Sequence, residues 1–141
     1  MLVAIQRNKP QVPGYSALEY AAHELKKIED RVSADLLVRL GIPGAPASVK
    51  TVLSHLPTAS ITHFACHGEQ NALNPLDSAL ILQDGRLKVS EIMQHPLHEA
   101  SLAVLSACQT AMGDENLPDE VIHLGATLLF AGFRGVVATM W

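Results

Sequence analysis

The chain has 141 residues and a formal charge of −4 at pH 7, enough length for one domain with a hydrophobic core and no electrostatic footing for nucleic acid or an anionic membrane surface. It is 48% hydrophobic but only 4% aromatic, so Leu, Val, Ile and Ala must carry the packing. Its two cysteines have no framework spacing and read as thiols of a reducing, cytoplasmic (intracellular) compartment. Met1 to Pro10 lacks the long apolar stretch of a signal peptide, and no run approaches the ~20 residues of a membrane span.

Leu2 to Ile5 is a short apolar run and predicts the first strand, followed by a loop at Pro10, Pro13 and Gly14. Ser16 with Glu19 three residues on has the pattern of a capping box and predicts a helix from that point. Its apolar face is Leu18, Ala21, Ala22, Leu25 and Ile28; Glu24 and the other charges fall mainly on the opposite one. Leu36 to Leu40 predicts the second strand, and Gly41 to Pro46 is too rich in Pro and Gly for regular structure. Ser48 is placed to cap a second helix whose buried face is Val49, Val52, Leu53 and Leu56, with Pro57 near its end. The third strand, about Ser60 to Cys66, follows. Strands alternating with helices imply right-handed crossovers and a parallel sheet.

The alternation then pauses. Glu69 to Asp77 reads as a polar loop, and Gln83-Asp84-Gly85 between Ala79–Leu82 and Arg86–Lys88 predicts a β-hairpin. A short helix over Val89–Gln94 stops before Pro96, and Leu102 to Ser106 is the fourth core strand. After a loop from Ala111 to Pro118, Asp119 and Glu120 open a helix. Val121, Ile122, Leu124, Ala126, Leu128, Leu129 and Phe130 leave it little polar face, so it is expected to be well buried, and Gly132 closes it. The last strand is Val136 to Met140. An apolar run with no polar tail suggests a piece of a longer protein. The outer edge of such a strand invites self-association through Val136–Met140.

The chemistry gathers at two strand ends. Cys108 stands just beyond the apolar run Leu102–Leu105, and His67 and Gly68 stand just beyond Ser60–Cys66. In parallel sheets the chemistry sits past the carboxyl ends of the strands. If these two strands are parallel neighbours, His67 and Cys108 emerge at one edge, and a thiol beside an imidazole is what nucleophilic cysteine catalysis requires. Cysteine is also often a small buried apolar residue, which fits Cys66 better than Cys108. A zinc site from His63, Cys66, His67 and Cys108 competes. However, the alternation of side chains along a strand turns Cys66 away from both histidines, whereas zinc needs four converging ligands.

H-F-A-C-H-G at His63–Gly68 and L-S-A-C-Q-T-A-M-G at Leu105–Gly113 resemble motifs of the CHAT domain family. The intervening D-S-A-L-I-L-Q-D-G and the closing D-E-V-I-H-L-G-A-T-L-L-F-A-G-F-R-G-V-V-A-T-M-W are also similar to it, so the strong resemblance covers about Ser48 to Trp141. It implies one α/β domain over residues 1–141 with a three-layer caspase-like fold. That fold has a mostly parallel sheet of order 2-1-3-4-5, helices on both faces and a small β-hairpin insertion. It further implies a cysteine endopeptidase with His67 and Cys108 as a catalytic dyad and the backbone amides of Gly68 and Cys108 as the oxyanion hole. No cofactor and no metal are expected, and the expected partners are a protein or peptide substrate and the other domains of a larger signalling protein. The acidic set Asp114, Glu115, Asp119 and Glu120 is a candidate for recognising a basic substrate side chain, although for Asp119 and Glu120 the favoured reading is that they complement a helix N-terminus. The rival reading is a catalytically silent scaffold or protein-interaction module.

Overall fold

The structure is a computed structural model and describes residues 1–6, 8–71, 73–106 and 124–138. Among the described residues five strands form the central sheet: β1 (Leu2–Ile5), β2 (Val38–Leu40), β3 (Ile61–Ala65), β7 (Leu102–Leu105) and β8 (Gly135–Ala138). They lie in the order β2-β1-β3-β7-β8 with every neighbouring pair parallel. Counted as core strands this is 2-1-3-4-5, the order the resemblance implies. A second, antiparallel sheet of β4 (His67–Glu69), β5 (Ala79–Ile81) and β6 (Arg86–Lys88) stands beside it.

Among the described residues four α-helices lie between the strands: α1 (Ala21–Glu29), α2 (Val49–His55), α3 (Val89–Ile92) and α4 (Leu124–Phe130). The central strands are apolar without alternation because both faces are covered. On one face Leu2, Ala4, Phe64, Cys66, Ala103 and Leu105 pack with Val52 of α2, Leu56 just past its end, Val89 and Ile92 of α3, and Leu124 and Leu128 of α4. On the other, Val3, Ile5 and Ala65 pack with Ala21 and Leu25 of α1. Gly125 admits α4 closely to β8, where an added Cβ would already touch the side chains of Ala138 and Val136.

Ser48 caps α2 as its position predicts, its Oγ accepting from the N–H of Thr51 at 3.1 Å. The same helix end takes a second acceptor that the sequence did not announce: Asp84 at the tip of the β5–β6 hairpin accepts from the N–H of Val49 at 2.9 Å. α4 ends in a Schellman arrangement, with Phe133 N–H to Leu128 C=O, Gly132 N–H to Leu129 C=O and Gly132 at φ +116°.

Several sequence expectations are corrected. Ser16 does not cap α1; the helix begins at Ala21 after Tyr20, with no side-chain cap, because the Ser16 carbonyl is engaged in contacts outside the helix. β2 begins at Val38, since Ala34–Leu36 forms a 3₁₀ turn. The expected polar loop from Glu69 starts later, because His67–Glu69 pairs with β5. α4 is not buried all round: Leu129 is 48% and Phe130 72% exposed. The beginning expected for this helix at Asp119 and Glu120, and the end expected for β8 at Met140, lie outside the described residues. Among the described residues β8 pairs with β7 alone and Val137 is 56% exposed.

Candidate active site

The register fixes what leaves the sheet together. Phe64 of β3 lies opposite Leu105 of β7, and the Ser106 N–H reaches the Phe64 carbonyl at 2.9 Å. The two chains therefore leave neighbouring parallel strands at one level and in one direction. On the β3 side the chain bends at Cys66 and enters β4 with His67. On the β7 side Ser106 is the last described residue before Cys108, which lies outside the described residues, as do Asp114, Glu115, Asp119 and Glu120.

His67 is half-buried and held on three sides. Its Nε2 is 3.0 Å from the Ser16 carbonyl oxygen. A carbonyl can only accept, so Nε2 carries the hydrogen, and in the neutral ring Nδ1 keeps its lone pair. The Tyr15 ring packs against the imidazole with centroids 5.2 Å apart and planes tilted by 42°. The main-chain N–H of His67 donates to Oε1 of Gln6 at 3.3 Å. The Tyr15 hydroxyl donates to Glu69 Oε2 at 2.8 Å, and Arg86 Nε donates to the same oxygen at 2.9 Å. Burial, then the bond to Glu69, raises the Tyr15 pKa above its usual value. Burial would raise that of Glu69, but the hydrogen bonds from Tyr15 and Arg86 outweigh it and hold the carboxyl below its usual range. A hollow of about 520 Å³ lined by Lys9, Gly14, Tyr15, Ser16 and Ala17 opens on the loop that holds the imidazole. Gly68 is buried in β4 opposite Leu80.

Side-chain sequence patterns gave no third group for His67, because a backbone carbonyl leaves no mark in residue identity. A second constellation was also missed. Glu24 of α1 turns inward, where its Oε2 meets His63 Nε2 at 3.0 Å and its Oε1 accepts from the Ser106 hydroxyl at 2.7 Å. Helical periodicity places Glu24 with the charges on the face opposite the apolar one. The actual signal was a polar His63 within an apolar strand, which required a partner from the helix above it. His63 is thus committed to Glu24 on the α1 side while Cys66 packs in the opposite core, so the two do not converge as zinc ligands would. Among the described residues no group of His, Cys, Asp and Glu could hold a metal ion, and no helix is long and apolar enough to cross a membrane.

Cys66 is fully buried, and burial pushes its thiol up to about 12 despite an opposing backbone hydrogen bond from Ile81. A thiol held protonated is no nucleophile at neutral pH. Cys66→Ala is expected to cost on the order of 1 kcal/mol through lost packing, which urea titration measures. The folded thiol holds its proton to about 12 against an ordinary value of 9.0. Its contribution to stability is therefore whole below the lower value and lost as pH climbs toward the upper. Cys66→Ala removes that alkaline slope.

The sequence profile of the CHAT domain family matches residues 5–141. No curated protein matches the chain. A match over nearly the full length, on a parallel sheet that brings the ends of β3 and β7 to one edge, shows that the chain belongs to the CHAT domain family, a family related to the caspase-like peptidases.

Proposed function

We propose that the chain is a caspase-like cysteine endopeptidase in which Cys108 is the nucleophile and His67 the general base and acid. The observation that carries this reading is the imidazole of His67, held by its Nε2–H on the Ser16 carbonyl at the edge where β3 and β7 end. That bond leaves Nδ1 as the basic nitrogen. Nδ1 takes the Cys108 thiol proton as the sulfur attacks a peptide carbonyl. The oxyanion of the tetrahedral intermediate is met by the N–H groups of Gly68 and Cys108, where losing one donor typically costs ~3 kcal/mol. The imidazolium then protonates the leaving amine and an acyl-enzyme remains. Water, deprotonated by Nδ1, attacks the thioester, and the departing thiolate recovers the proton. Asp114, Glu115, Asp119 and Glu120 would favour a basic side chain on the substrate.

The second reading, a catalytically silent scaffold, draws on Leu129 and Phe130, which give α4 an exposed apolar surface of the kind partners cover. Peptide libraries with Arg, Lys, Asp or Leu before the scissile bond separate the two. Cleavage that falls by about 10²- to 10⁴-fold in His67→Ala supports the peptidase. Absence of cleavage throughout the library supports the scaffold.

A further inference from the structure

Gln6 stands one residue past β1, at the same sheet edge as His67, and is fully buried. Both ends of its carboxamide are committed. Nε2 donates to the Ser16 carbonyl at 2.9 Å and to the Asn8 carbonyl at 3.3 Å, and Oε1 accepts from the main-chain N–H of His67 at 3.3 Å. Its own backbone is fixed by an N–H bond to Ala65 at 2.8 Å.

We infer that Gln6 is a positioning residue for His67, setting the tautomer of the imidazole. Its side chain fixes both the carbonyl that receives the ring Nε2–H and the main chain from which that ring projects. The catalytic consequence rests on the peptidase reading above; the tautomer does not.

The Ser16 carbonyl has two lone pairs, and they meet two donors, Gln6 Nε2 and His67 Nε2. The loop bearing Ser16 has no helix or strand to hold it in place. It is anchored on one side by Gln6 and on the other through Tyr15, Glu69 and Arg86. Without the Gln6 donor, the carbonyl is held only through the neighbouring Tyr15 anchor, its height above the ring is set less firmly, and the preference for hydrogen on Nε2 over Nδ1 weakens. A buried polar side chain must recover its desolvation through hydrogen bonds. A methionine of similar length would fill the same space without that cost. What the glutamine adds is therefore the placement of these two groups.

The test compares the full chain with Gln6→Met, which removes donor and acceptor, and Gln6→Glu, which keeps an acceptor and removes the donors. Imidazole ¹⁵N NMR, at a pH where the ring is neutral, reads the tautomer, and the His63 ring bound to Glu24 reports whether the fold is intact. In the wild type His67 is expected as the Nε2–H tautomer alone, and in both variants as a mixture with His63 unchanged. If peptide hydrolysis is measurable, kcat should fall by about 10²-fold, the cost of a small misplacement, with KM little changed. Variants that keep the His63 signals and a pure Nε2–H tautomer overturn the inference. If neither variant folds, hydrogen exchange in the wild type decides. Slow exchange of the Gln6 carboxamide protons supports the inference, and fast exchange in an intact fold overturns it. A tautomer shift in a chain that cleaves nothing would refute the peptidase and keep the role of Gln6.

Discussion

Replacing Cys108 with alanine is expected to abolish peptide hydrolysis while moving the midpoint of thermal unfolding by less than about 2 °C. Cys108 is three residues beyond Leu105, the last residue of β7, and as the nucleophile it belongs at a cleft and not among the packed residues. No neighbouring thiol can substitute, because Cys66 is buried in the core and held protonated. A calorimetric scan beside a hydrolysis assay gives both quantities. Retained cleavage would refute Cys108 as nucleophile. A large drop in the midpoint would make it a core residue.

The largest loss of stability is expected at Gly41, where β2 turns into the loop toward α2. Gly41 has φ +94°, and a Cβ there would lie 1.9 Å from the carbonyl oxygen of Ile5 and 2.8 Å from its Cγ1. Its N–H is bound to the Ala45 carbonyl at 2.7 Å, so the turn cannot simply move aside. A left-handed conformation costs a β-carbon residue roughly 1–3 kcal/mol, and overpacking adds about as much. Gly41→Ala is thus expected to cost roughly 4 kcal/mol, a large part of the ~5–15 kcal/mol of a typical domain. Gly44, also at positive φ but with nothing near its missing Cβ, serves as the control and should lose only the conformational part. Urea unfolding of both variants checks this, and equal losses at the two sites would show that the contact with Ile5 relaxes.

The sheet was legible because its strands are continuous apolar runs separated by Gly, Pro and polar residues. β1 at Leu2–Ile5 and β7 at Leu102–Leu105 fall where the sequence puts them. The hairpin was legible from Asp84-Gly85. Element starts were less so. Ser16 carries the residue signature of a cap, yet tertiary bonds from Gln6 and His67 to its carbonyl take precedence over the local preference. In the same way His67, read as lying in a connection, gains a strand partner in Ile81 that only the folded chain supplies. At the site, residue types point to His67 and the neighbouring strand end. The groups that orient His67 are a backbone carbonyl and a glutamine more than sixty positions earlier. No spacing rule links them, because the topology that brings β1 beside β3 does so across the intervening α1, β2 and α2. The exposure of Leu129 and Phe130 escaped for the opposite reason: hydrophobicity all round a helix predicts burial only where neighbours exist to cover it.

The most direct measurement of the central claim is the rate at which a peptide carrying a thiol-directed electrophile labels Cys108 in the intact chain and in His67→Ala, with the labelled cysteine located by mass spectrometry. A catalytic dyad of His67 and Cys108 requires fast labelling of Cys108 alone, no labelling of Cys66 until the protein is unfolded, and a fall of about 10²-fold or more in His67→Ala. Cys108 reacting no faster in the folded chain than Cys66 does in denaturant, with the rate unchanged in His67→Ala, would contradict it.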